Sequence, residues 1–164
     1  MLYFSQLKGK VVVTPDGTRI GKIDDCLFLA AATPLITKLV IKAGPHNYLI
    51  IPTSSVQKIN HSLTVSADFP STNLADNELY IMKNLLDKQI IDVQESKVVR
   101  VNDVAIQDKS GKSWYIAGVD IGLRGILRWL KLDQITLPIY QLLGFQSHPH
   151  FLSWADIQPL ELAR

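Results

Sequence analysis

Two acidic pairs are the first residues in this chain whose types could do chemistry. Asp24-Asp25 and Asn102-Asp103 recur in the same local setting. Carboxylate oxygens at such positions could serve a hard cation such as magnesium, which takes oxygen ligands and keeps several waters. Adjacent residues on a strand point to opposite faces, however, so one pair does not make a convergent set. The expectation is that Asp25 and Asp103 bond backbone groups at a strand bend and that no metal is held. The histidines are His46, His61, His148 and His150. His148-Pro149-His150 could bring two imidazoles together, but no cysteine or acid lies at a zinc-like spacing. Ser54-Ser55 follows Pro52 and suits a turn or helix cap. Cys26, Ser54 and Ser55 have no evident base, and no nucleophile elbow or glycine-rich phosphate loop occurs. The expectation is a protein that is not an enzyme and uses no cofactor.

Binding chemistry is better represented. From Gly122 to Lys131 the order is Gly-Leu-Arg-Gly-Ile-Leu-Arg-Trp-Leu-Lys. Leu123, Leu127 and Leu130 fall on one helical face, and Arg124, Arg128 and Lys131 follow one place later. One reading is a helix that covers a sheet, its cations solvated or paired. The other is a docking face for an acidic partner or an anionic headgroup, with Arg124, Arg128, Lys131 and Trp129 as its residues. Gly122 and Gly125 each weaken an isolated helix by about 1 kcal/mol, so packing must hold it. Trp114, Trp129 and Trp154 read as core or interface anchors.

The elements that must position these residues are written twice. Thr18 to Phe28 reads TRIGKIDDCLF and Ser96 to Ile106 reads SKVVRVNDVAI, matching in kind at a shift of 78 (18 to 96). Leu7 to Val12 resembles Leu86 to Ile91, and Ile51 to Ile59 resembles Leu152 to Leu160. Each copy alternates short β-branched and aromatic runs with turn clusters such as Thr14-Pro-Asp-Gly17. A small curled sheet or barrel is the economical solution, because closure removes exposed edges. Imperfect alternation around Ile20 to Phe28 calls for a bent or bulged strand. The predicted architecture is mainly β: a first barrel-like unit over 1–75 and a second over 76–164. The second carries a helical insertion at about 121–147, and the linker spans Ala67 to Asn77.

The 164 residues are 47% hydrophobic and 20% charged, enough for a core. Each half alone would be marginal in size, which argues for mutual packing and for a homodimer. A net charge of +2 gives no general attraction to nucleic acid, and membrane contact would be peripheral at most. The lone Cys26 fits a reducing, cytoplasmic setting. No signal peptide or spanning run is visible. The ending at Arg164 suggests the front piece of something longer.

Gly9-Lys-Val-Val12 followed by Asp16-Gly-Thr-Arg-Ile-Gly-Lys-Ile-Asp-Asp25 resembles the PRC-barrel domain. That small β-barrel is shared by the photosynthetic reaction-centre H subunit and a ribosome-maturation factor. The second copy departs from the pattern, with Val99 in place of Gly21 and Ser96 in place of the turn glycine. Leu86 to Val93, Lys97 to Val104, Ala117 to Arg128 and Trp154 to Leu160 resemble the amino-terminal region of bacterial MgtE-like proteins. That resemblance implies a non-catalytic regulatory module ahead of CBS-containing domains in a protein related to magnesium transport, with those downstream domains as partners. The other PRC-barrel precedent implies, as the alternative, a ribosome- or RNA-associated adaptor. That alternative would need a continuous basic stripe with exposed aromatic rings.

Overall fold

Strands dominate because β-branched residues cluster in short runs bounded by Gly, Pro and Asp. The computed structural model describes residues 1–109, 113–131 and 151–159. In chain order they form β1 (Leu2–Tyr3), α1 (Phe4–Leu7), β2 (Val11–Val13), β3 (Arg19–Leu29), β4 (Leu35–Gly44) and β5 (Asn47–Pro52). A 3-10 turn (Thr53–Ser55) leads to β6 (Val56–Ile59), β7 (Leu63–Val65), β8 (Glu78–Tyr80), α2 (Ile81–Asn84), β9 (Gln89–Asp92) and β10 (Lys97–Arg100). Then come β11 (Asp103–Lys109), β12 (Ser113–Asp120), α3 (Leu123–Trp129), β13 (Phe151–Ser153), a 3-10 turn (Trp154–Asp156) and β14 (Ile157–Pro159). The fold is mainly β, a curled sheet. No helix among the described residues is long and apolar enough to cross a membrane.

The main sheet runs β1-β11-β12-β4-β3-β2-β7-β6, with β13 on β12, β5 on β4 and β8 on β3. A separate three-stranded sheet runs β10-β9-β14. The two halves of the chain are therefore not packed separately. The first strand of each half lies on the other half: Tyr3 opposes Ala105, and Tyr80 opposes Leu27. Glu78 on β8 fastens this exchange by accepting hydrogen bonds from Thr37 Oγ1 (2.8 Å) and Lys38 Nζ (3.0 Å) on β4.

The registers repeat as the sequence does. On β3 and β4, Asp25, Cys26, Leu27 and Phe28 oppose Val40, Leu39, Lys38 and Ile36, with a bulge between Leu27 and Phe28. On β11 and β12, Asp103, Val104, Ala105 and Ile106 oppose Asp120, Val119, Gly118 and Ile116, with a bulge between Ala105 and Ile106. These bulges explain the broken alternation, because an extra residue turns the strand by one place. Gly9 (φ 84°) and Asp87 (φ 60°) both adopt the left-handed region. Their amides donate to Ile23 O (2.8 Å) and Val101 O (2.9 Å) respectively. At the junction of β4 and β12, Tyr115 opposes Leu35 and Trp114 opposes Ile36, while the Ile116 amide donates to Pro34 O at 2.9 Å. The halves thus meet at the Tyr115–Leu35 and Trp114–Ile36 pairs.

One position separates them. A Cβ at Gly21 would stand 2.3 Å from Lys42 O, so only glycine lets β4 close against β3 there. β3 then runs unbroken from Arg19 to Leu29. In the second half Val99 holds that place, and the matching run divides into β10 and β11 around Val101-Asn102. Where β4 continues past Ile41, the second half turns instead into α3. The remainder of the expected insertion, residues 132–147, lies outside the described residues. A single apolar cluster joins both halves, including Phe4, Leu7, Phe28, Ile81, Val104 and Ile116.

Candidate functional site

The acidic residues of the repeat tie the two halves together. Asp25 Oδ1 accepts the amides of Cys26 (2.7 Å) and Met82 (3.1 Å), so an aspartate of the first half caps α2 of the second. Asp103 does the reverse. Its Oδ1 accepts the amides of Val104 (2.9 Å) and Ser5 (3.1 Å), and its Oδ2 accepts Ser5 Oγ at 2.5 Å, capping α1 of the first half. The backbone role expected for both residues is what the geometry displays, and the partners are short helices delivered by strand exchange.

The surroundings of the two carboxylates differ. Asp103 is fully buried and receives Arg128 Nε on Oδ2 at 2.9 Å. The same guanidinium donates through a terminal nitrogen to Asp120 Oδ2 and lies 3.6 Å above the Tyr3 ring centroid. Burial opposes the charge on Arg128, but hydrogen bonds from it to Asp103 and Asp120 and their negative charges outweigh that and raise its pKa. Among the described residues, no cation forms an ion pair with Asp25. Burial pushes its carboxyl up to about 6, against the lowering effect of the Met82 and Cys26 amides and of the Lys8 charge. Lys8 itself pairs with Asp24 at 3.0 Å. The thiol of buried Cys26 is pushed well up by burial and by Asp25 beside it.

α3 is positioned by the same strand. Gly122 donates its amide to Asp120 Oδ1 (2.8 Å), and Asn102 Nδ2 donates to Gly122 O (3.0 Å). A Cβ at Gly125 would be 3.0 Å from Asn102 Cβ and 3.3 Å from Asp103 Cβ, so this glycine lets the helix lie against β11. Trp129 Nε1 donates to Asn102 O (2.8 Å), and the Trp129 ring sits 5.9 Å from that of Phe4.

The residues expected to form a docking stripe are thus divided. Arg128 faces inward, paired with two aspartates, and presents no outward charge to a ligand. Trp129 is half-buried and bonded through its indole nitrogen. Lys131 is exposed at the helix end in a left-handed conformation (φ 58°). The side chain of Arg124 lies outside the described residues, as do those of Leu123 and Leu127. Leu130, expected on the covered face, is 61% exposed, and Ile126 is 44% exposed. These two line an apolar hollow of about 340 Å³ with Met82, Leu86 and Trp129. The pairing of Arg128 with Asp103 and Asp120 agrees with the reading of a sheet-covering helix whose cations are paired, whereas Leu130, expected on the covered face, stands outside it. Tyr3, Ser5 and Asp120 were not singled out in the sequence, because nothing local links them to Arg128.

His46 and His61 are exposed, and His148 and His150 lie outside the described residues. Among the described residues no three His, Cys, Asp or Glu side chains converge on a metal position. Residues 1–69 match the family of the PRC-barrel domain. No curated protein matches the chain.

Proposed function

We propose that the PRC-barrel match over residues 1–69 marks the first of two barrel-like halves, and that the chain is a non-catalytic interaction module. In this reading it stands at the front of an MgtE-like, CBS-containing cytoplasmic protein related to magnesium transport. Its work is packing: the halves interlock, and α3 offers a face to a second copy or to the domains that follow. The shared registers, bulges and exchanged strands support the duplicated reading.

The observation that carries the interaction role is the exposed apolar side of α3. Its half-buried cation, Arg128, anchors the helix to Asp103 and Asp120, while Ile126 and Leu130 stand in water around the hollow. Exposed large apolar side chains grouped beside a concavity mark interaction surfaces. A symmetric homodimer through this face is the expected assembly. Sedimentation of the full chain should give a mass near twice that of the monomer, returning to the monomer in Ile126→Glu/Leu130→Glu with the fold retained. A monomer at high concentration, or a dimer indifferent to both substitutions, would sink the assembly reading. The reading frame past Arg164 tests the context: an acidic helical domain followed by paired CBS motifs is expected.

A further inference from the structure

The outer face of the first half carries a row of side chains that the fold leaves unused. Directly opposed residues on antiparallel strands project from the same face. Tyr48 on β5 opposes Lys42 on β4, Lys42 opposes Lys22 on β3, and Lys22 opposes Val11 on β2. Strands lie about 4.8 Å apart, so one ring and two ammonium groups stand side by side across the sheet. Lys22 and Lys42 are exposed, and Tyr48 is 50% exposed. Arg19, further up β3, is exposed as well. Among the described residues, none of these three cations has an ion-pair partner. They border a shallow hollow of about 380 Å³ whose lining contains no carboxylate.

This arrangement works against the fold. Like charges directly opposed across a ladder are destabilising, and Gly21 brings the two strands into the close pairing that sets these lysines together. Among the described residues, no carboxylate neutralises this row. The uncompensated charge points outward, to an anion from another molecule. The exposed ring narrows the choice. A carboxylate-rich peptide would engage the cations but has no use for a tyrosine face. A single-stranded nucleic acid uses both, with its backbone along the cations and a base stacked on the ring.

We infer that the Tyr48–Lys42–Lys22 row, extended by Arg19, is a binding face for single-stranded nucleic acid. It lies on a different part of the molecule from α3, so its failure and that of the dimer reading are separable. The test is fluorescence anisotropy of the full chain with a labelled mixed-sequence RNA of about 12 nucleotides, within the site size of small β-barrels. Three neutralised phosphates on a single strand give a salt slope of about −2, so binding should weaken about twentyfold from ~50 to ~200 mM KCl. Lys22→Glu replaces a repulsive cross-strand pair with an attractive one, so the fold should persist while affinity falls at least about tenfold. Lys42→Gln reads the same loss of binding without adding a charge, and guards against misfolding of the first variant. Tyr48→Ala should lower affinity by about five- to a hundredfold, the effect of one stacked base. No binding at low salt overturns the inference. So does RNA binding that ignores all three substitutions, or a polyglutamate peptide that binds the row more tightly than RNA and is indifferent to Tyr48.

Discussion

Replacing Asp25 with asparagine tests how the buried carboxylate at the junction of the halves contributes to stability. Its pKa rises from 3.8 to about 6 on folding, because burial disfavours the charge. The folded protein therefore binds this proton more tightly than the unfolded chain. Stability falls as pH rises through that window: the proton is held in both states below it and lost from both above it. One pKa unit corresponds to 1.36 kcal/mol, so ionised Asp25 costs the fold about 3 kcal/mol at neutral pH. Asparagine keeps an oxygen for the Cys26 and Met82 amides and removes the charge. Its new NH2 group, at a side chain with 6% exposure, must find acceptors, which takes back about 1–2 kcal/mol. Urea unfolding of both proteins should find Asp25→Asn more stable by about 1–2 kcal/mol at about pH 7.5. Near pH 4 that advantage should vanish. A difference that does not grow between these pH values, or a variant less stable than the parent at neutral pH, refutes the assignment of the cost to burial of this charge.

Arg128→Met should behave in the opposite way. It strands Asp103 and Asp120 as buried, unpaired carboxylates and should cost about 3–5 kcal/mol, read as a large fall in melting temperature at neutral pH that narrows on acidification. Gly21→Ala should destabilise by more than about 2 kcal/mol, because its Cβ would meet Lys42 O at 2.3 Å. Amide exchange should show the loss first at Lys22 and Lys42; even protection across the sheet would contradict the close-approach explanation.

The match between Thr18–Phe28 and Ser96–Ile106 was legible because strand registers depend on local runs of apolar and turn residues. The bulges at Leu27/Phe28 and Ala105/Ile106 surfaced as broken alternation for the same reason. Asp25 and Asp103 could be assigned to backbone bonding from their place in the repeat. What could not be read was the recipient: each caps a helix from the other half, and pairing across 57 or 98 residues leaves no local trace. The helical stripe at Arg124, Arg128 and Lys131 was likewise a one-dimensional inference. Periodicity assigns a face only relative to the helix axis, and what lies beneath that face belongs to β11 and β12.

The amino-acid order by itself therefore determined the strand-rich composition, the recurring local residue pattern and the turns, since each element of these rests on residues within a few positions of one another. Tertiary structure alone decided that the halves trade their first strands, that Arg128 is an internal tie, and that Tyr48, Lys42 and Lys22 form a row. Those outcomes depend on which strands become neighbours, and that is settled by burial of a shared core across the whole chain.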